Sequence, residues 1–348
     1  MAGLTALKRT MGFTIIIIFA IFLGLLTIVS YFFLSPVGSL ILGLAGTAII
    51  MLLQYLIGPA IVSATSHLRY LQPGENRWLE SKVGELAAKS GIPMPRLAIA
   101  PDPTPNAFVF GRSQSGATLA VHQGLLQRLN EDEIEGVLGH ELGHIKHRDF
   151  IVVTMISAIP LVAYLIARTV FWTGATSGYR GRRGKGEGGI GLLIIAAVAA
   201  YVVYILTTLL SLRLTRLREH YADAYSAFLT SKPRELESAL TKIAYGLSLS
   251  PEEPHGARAF FIEDPAQAKQ EVARIMEQKS QYDLDRDGVL SERELELAME
   301  KEASSAWQRM NSLYATHPPV YKRILLLREI EQDMSSGTFQ QTDIYRHV

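Results

Sequence analysis

The chain has 348 residues, 48% of them hydrophobic and 19% charged, with 34 basic and 33 acidic side chains and a formal net charge of +1. That balance offers no basic face to nucleic acid, and so apolar a composition points to membrane spans. Cysteine is absent, which excludes disulfides, a cysteine-ligated zinc site and a thiol nucleophile.

Residues 13–33 form an uncharged apolar run long enough to cross a bilayer as a helix. The run is longer than a signal-peptide core, and no A-x-A site follows it. Ser35-Pro36 makes a turn, and a second apolar run covers 40–64, so residues 1–66 read as a transmembrane hairpin. From His67 the composition becomes mixed. Residues 75–89 have helical periodicity and stop at Ser90-Gly91. Three short segments, 96–100, 106–111 and 117–121, read as strands.

Asn130 then caps a helix, with Glu133 three residues on in a capping-box position. This helix carries His140-Glu141-Leu142-Gly143-His144, an H-E-x-x-H. Positions i and i+4 share a helical face, so His140 and His144 aim two imidazoles at one zinc ion. Glu141 sits beside them, placed to take a proton from water on the open metal position. His147 reads as a flanking residue. Residues 67–149 thus form the first part of a peptidase-like domain.

A third apolar run covers 150–172, and a fourth covers 190–210. The intervening Gly-, Arg- and Lys-rich segment reads as a solvated loop. Residues 150–211 form a second hairpin, either crossing the membrane or lying shallowly in it. Basic residues at the span ends, among them Lys8, Arg9, Arg69, Lys146, Arg148, Arg213, Arg216 and Arg218, place the metal helix on the cytoplasmic side. The basic loop argues the other way, with less weight. Within the next soluble stretch, 212–263, Glu219 and Asp223 are i and i+4 on one helical face. An H-E-x-x-H site needs a third protein ligand, and Glu219 is the choice. Asp223 is placed to accept a hydrogen bond from a ligand imidazole. His220 is a rival that points about 100° away on the helix.

Four apolar runs, H-E-L-G-H-I-K-H-R-D after the second, and T-R-x-R-E-x-x-A-D after the fourth resemble the HtpX-type membrane zinc metallopeptidases, relatives of the CAAX prenyl proteases. Asn106-Ala107-Phe108 with Gly111, and the stretch 316–324, extend the match. The resemblance implies a zinc endopeptidase of a cell's inner membrane. Its peptidase domain faces the cytoplasm and cleaves misfolded or surplus membrane proteins or unfolded polypeptides. By position, His140, His144 and Glu219 are the zinc ligands, Glu141 the base, and Asp223 a support behind them. Asn106 and Ala107 fall on an edge strand that pairs with substrate. His317 and Arg323 match the late motif, His317 as an oxyanion or zinc-access residue and Arg323 as a substrate contact.

An inserted segment, 264–311, departs from that pattern. Its loop fits an EF-hand throughout. Asp283, Asp285 and Asp287 fill positions 1, 3 and 5, and Gly288 makes the turn. Val289 offers its carbonyl, Ser291 sits at position 9, and Glu294 at 12. The expected second cofactor is therefore calcium. Residues 312–348 close the peptidase domain, and the stretch after Asp333 reads as a polar, disordered tail. The fold expectation is mainly α. It comprises a helical zincin-like metallopeptidase domain with a small three-stranded β-sheet, four membrane-associated helices and an inserted EF-hand helix-loop-helix. Two other readings stand beside the peptidase: a calcium-responsive membrane scaffold with structural zinc, and a CAAX-type processing protease.

Overall fold

The computed structural model describes residues 2–31, 34–156, 158–177, 187–248, 261–262, 265–286, 290–302, 315–337 and 344–348. They fall into two compact units: Met1–Lys8, Pro59–Ile151 and Thr215–Val348 form one, and Arg9–Gly58 with Val152–Leu214 the other. Residues 264–311 fall within the first unit.

Helices α1 (Ala2–Tyr31) and α2 (Pro36–Thr65) are each long and apolar enough to cross a membrane. Large apolar side chains such as Phe13, Ile16 and Leu53 stand exposed along them, as a lipid-facing surface requires. Their backbones approach closely where Gly43 meets Thr27, the small-residue contact by which apolar helices pack in lipid.

The first unit is built on a four-stranded sheet of order β1-β2-β4-β3. Strand β1 (Arg69–Tyr70) precedes α3 (Arg77–Ser90), which is capped by the Asn76 side chain and ended by left-handed Gly91. Strands β2 (Arg96–Ala100), β3 (Ala107–Phe110) and β4 (Thr118–His122) follow. β2 and β4 run parallel, while β1–β2 and β3–β4 are antiparallel. The fourth strand beyond the expected three is β1, two residues long and too short to carry alternation. Strand β3 forms an edge of the sheet.

After α4 (Gln123–Arg128) comes α5 (Glu131–His147), which packs on α3 and β3. Its capping box is complete: Glu133 N–H donates to Asn130 Oδ1 at 2.9 Å, and Asn130 N–H to Glu133 Oε2 at 2.8 Å. Arg148, left-handed at φ 61°, ends α5, and the chain turns at once into α6 (Asp149–Ile156) and α7 (Ala158–Ser177). Helix α8 (Glu187–Thr230) has 44 residues, about 66 Å of helix against roughly 30 Å of hydrocarbon. Its apolar part therefore supplies a candidate span, and its last turns, from Thr215, belong to the sheet-bearing unit. Asp149–Trp172 and Ile194–Thr230 complete four candidate spans.

Glycines bring α8 close to α5. A Cβ on Gly139 would stand 2.8 Å from Ser226 Oγ and 3.0 Å from Thr230 Cγ2, and one on Gly143 3.3 Å from Ala222 Cα. Ser226 Oγ also donates to Gly136 O at 2.6 Å. A Gly139→Val variant should therefore lose about 1–3 kcal/mol of stability through overpacking. A melting temperature in detergent equal to wild type would refute this contact as a constraint.

Helix α9 (Pro233–Ser248) packs on α5. Helices α10 (Pro265–Glu277), α11 (Lys279–Tyr282) and α12 (Glu292–Glu302) follow, with α10 and α12 against α9. The last helix, α13 (Val320–Ser335), also packs on α9. The stretch after Asp333 was expected to be a disordered tail, but its described end is docked. Ile344 is buried, and Tyr345 Oη lies 2.7 Å from His147 Nε2 within a cluster that includes Tyr221 and Tyr225. Aromatic burial, not polarity, decides the fate of these last residues.

Candidate active site

His140 and His144 lie one turn apart on α5, and Glu219 comes from α8. His140 Nε2 is 3.2 Å from both His144 Nε2 and Glu219 Oε2, and His144 Nε2 is 3.6 Å from Glu219 Oε1. Donors held at about 2 Å around a tetrahedral ion stand about 3.3 Å apart, so this spacing fits one metal. Two imidazoles and a carboxylate, without thiolate, form the donor set of an open zinc site. Glu219 Oε2 is buried against His140 Nε2, where a cation held between them would satisfy both groups. The cluster also favours positive charge. Burial works against a proton on His140, yet hydrogen bonds to Asp223 and Glu219 hold its pKa up at about 9.

Each histidine is backed by a carboxylate, and each carboxylate by an arginine. His140 Nδ1 is 2.9 Å from Asp223 Oδ1, and Arg323 donates to both Asp223 oxygens at 2.7 and 2.8 Å. His144 Nδ1 is 3.1 Å from Asp149, and Arg218 donates to Asp149 Oδ1 at 3.1 Å. The left-handed turn at Arg148 brings Asp149 back towards the helix it has just left. These bonds fix which imidazole nitrogen faces the centre and how each ring is turned. Glu141 is buried beside them, and burial pushes its carboxyl up to about 7. His317 is buried as well, its Nε2 3.9 Å from Glu219 Oε1 and its Nδ1 3.0 Å from Thr316 Oγ1.

The sequence profile of Peptidase family M48 matches residues 73–331, a span holding every member of this cluster. The chain belongs to peptidase family M48. It is 32% identical to the "Protease HtpX homolog" of Aeropyrum pernix over 82% of this chain and 88% of that protein. The protein of the same name from Methanothermobacter thermautotrophicus is 38% identical over 70% of this chain and 87% of the relative. The one from Moorella thermoacetica is 32% identical over 96% of both. Among solved structures, "Crystal Structure of S. mikatae Ste24p" aligns with 94% of this chain and 67% of that one, at 13% identity and a TM-score of 0.46. The chain is thus an HtpX-type M48 metallopeptidase with helices fit to span a membrane.

Other residues of this M48 chain sit differently from expectation. Arg323, expected at the substrate, is fully buried. Besides Asp223 it donates to Ile262 O, so it braces the site from behind. Asn106 is also buried. Its side chain accepts from Ile262 N–H at 2.9 Å and its carbonyl from His122 N–H at 2.9 Å, so it fixes the start of the edge strand. In that register Ala107 and Val109 turn their backbone groups away from β4, and both residues are buried. Arg218, counted among the interfacial charges, is buried on Asp149. His220 lies outside the His140–His144–Glu219 group. Asp149 and Arg218 were not anticipated in the site. Between α11 and α12, Asp283, Asp285 and Glu294 present oxygens within 4.8 Å of one another. Ser291 Oγ donates to Glu294 at 2.7 Å. Asp287 and Val289 lie outside the described residues.

His147, one turn past His144, faces the tyrosine cluster instead of the metal group. Burial holds its pKa down at about 4. The unfolded chain binds this proton below about pH 6.5 while the folded one refuses it, so stability falls as pH drops from about 6.5 to 4. Wild type should lose about 3 kcal/mol more than His147→Gln over that interval. Denaturant unfolding of both proteins at the two pH values reads the difference, and parallel losses would contradict it.

Proposed function

We propose that this chain is a membrane-bound, zinc-dependent endopeptidase that cleaves misfolded or surplus membrane proteins from the cytoplasmic side. The observation that carries the reading is the convergence of His140, His144 and Glu219 with Glu141 buried beside them. His140, His144 and Glu219 hold the zinc. When bound, zinc polarises the scissile carbonyl and acidifies the attacking water. Glu141 takes the proton of that water and returns it to the leaving amine, a task that suits a carboxyl raised to about 7 by burial. Asp223 and Asp149 hold the ligand rings in register. His317 donates a hydrogen bond to the oxyanion as the carbonyl becomes tetrahedral. Ala107 on edge strand β3 pairs with the substrate backbone, a mode indifferent to side-chain identity and so suited to varied unfolded chains.

The cytoplasmic placement rests on Lys8, Arg9, Arg69, Lys146, Arg148 and Arg213 near the span ends. The inserted EF-hand is read as a calcium loop of Asp283, Asp285, Asp287, Val289, Ser291 and Glu294 that regulates the peptidase. Support comes from the meeting of Asp283, Asp285 and Glu294.

The test uses the detergent-purified chain with unfolded casein as substrate. Chelation should stop cleavage and added zinc should restore it. Cleavage that persists after the metal is stripped would sink the zinc reading. Calcium added to the zinc-loaded protein should change the rate, and an unchanged rate would remove the regulatory role.

A further inference from the structure

A cavity of about 750 Å³ lies at one end of the sheet, against the last turns of α2. Pro59, Ala60 and Ala64 of α2 give it an apolar wall, and Tyr70, Arg96, Arg112 and Thr118 give it a polar one. None of the described residues lining it is acidic. The Arg96 guanidinium is exposed and stacks over the Tyr70 ring at 5.1 Å, and Tyr70 Oη in turn lies 3.2 Å from Ser63 Oγ. Thr118 is fully buried, and its hydroxyl has no hydrogen-bond partner among the described residues. Two guanidiniums and an unanswered hydroxyl around one space are the groups that bind a phosphate.

Position adds the second half of the ligand. Because α2 is a candidate span ending at Thr65, Pro59–Thr65 stand at the membrane–water boundary, where phosphate headgroups lie. We propose that this cavity binds an anionic phospholipid. Its phosphate meets Arg96, Arg112 and Thr118, and its glycerol and upper acyl carbons lie along Pro59, Ala60 and Ala64. The apolar wall distinguishes such an amphiphile from free phosphate, which has nothing to place there.

The full-length chain in detergent is titrated with short-chain phosphatidylglycerol, with phosphatidylcholine of equal chain length, and with inorganic phosphate, binding being read by thermophoresis. Phosphatidylglycerol should bind at least about tenfold more tightly to wild type than to the Arg96→Gln/Arg112→Gln double variant. It should also exceed both other ligands on wild type. Thr118→Val, which keeps shape and deletes the hydroxyl, should weaken the lipid while leaving the circular dichroism spectrum unchanged. Both arginines are exposed, so the double variant should fold, and the same spectrum checks it. Equal affinity of the double variant, or of phosphatidylcholine, overturns the proposal. Inorganic phosphate binding as tightly as the lipid assigns the site to the free anion and overturns the lipid. Casein displacing the bound lipid would mark the cavity as part of the polypeptide path and equally overturn it.

Discussion

Glu141→Gln should leave a folded, zinc-loaded protein whose cleavage of unfolded casein falls by about 10³-fold, within the 10²–10⁴ range expected for loss of a general base. The side chain is buried next to His140, so the amide fills the same space and the metal donors are untouched. An amide cannot take the proton of the attacking water or deliver it to the amine. The measurement pairs zinc content with initial rate. Full zinc content with a collapsed rate is the expected result. A variant that keeps more than about a tenth of the rate would show that another group moves the proton. If zinc is lost as well, the carboxylate has a part in metal retention that the mechanism above denies it.

The second large effect concerns Asp223. It accepts from Arg323 through both oxygens and lies 2.9 Å from His140 Nδ1. Asp223→Ala removes the partner of a metal-facing imidazole and strands a fully buried guanidinium. Loss of stability should be about 3–5 kcal/mol, and zinc affinity should drop about 10- to 100-fold. Arg323→Met supplies the contrast. It strands the carboxylate at a similar cost but keeps the bond to His140, so its zinc affinity should fall less. Chelator competition and thermal unfolding on both variants separate the two effects. Equal zinc affinities in the two variants would show that Asp223 stabilises the fold without orienting the ring.

Much of this site was legible because its spacings are helical. His140 and His144, and likewise Glu219 and Asp223, declare a shared face by their four-residue interval, and the backing role of Asp223 follows from it. The capping box at Asn130 was equally local. Asp149 was not legible, because it follows a left-handed residue and periodicity stops at the helix end. Arg218 and Arg323 read as a surface charge and a substrate contact. Their acidic partners are 69 and 100 residues away in the chain, and nothing local marks an arginine for burial. Strand β1 escaped for want of length. Tyr345 escaped because its docking depends on an aromatic pocket assembled from α5 and α8.

The glycines that face α8 set a dimension as well as a contact. With Gly139 against Ser226 and Gly143 against Ala222, the two backbones already touch, and the gap between the carboxylate and the imidazoles is gauged by main chain. Such a gauge has no slack. Glu219→Asp, which retracts the oxygens by one methylene, cannot be repaired by sliding the helices nearer. Replacement of the carboxylate by a shorter one is therefore a loss of reach that no repacking elsewhere restores, and the length of that single side chain becomes as fixed a property of the site as its charge.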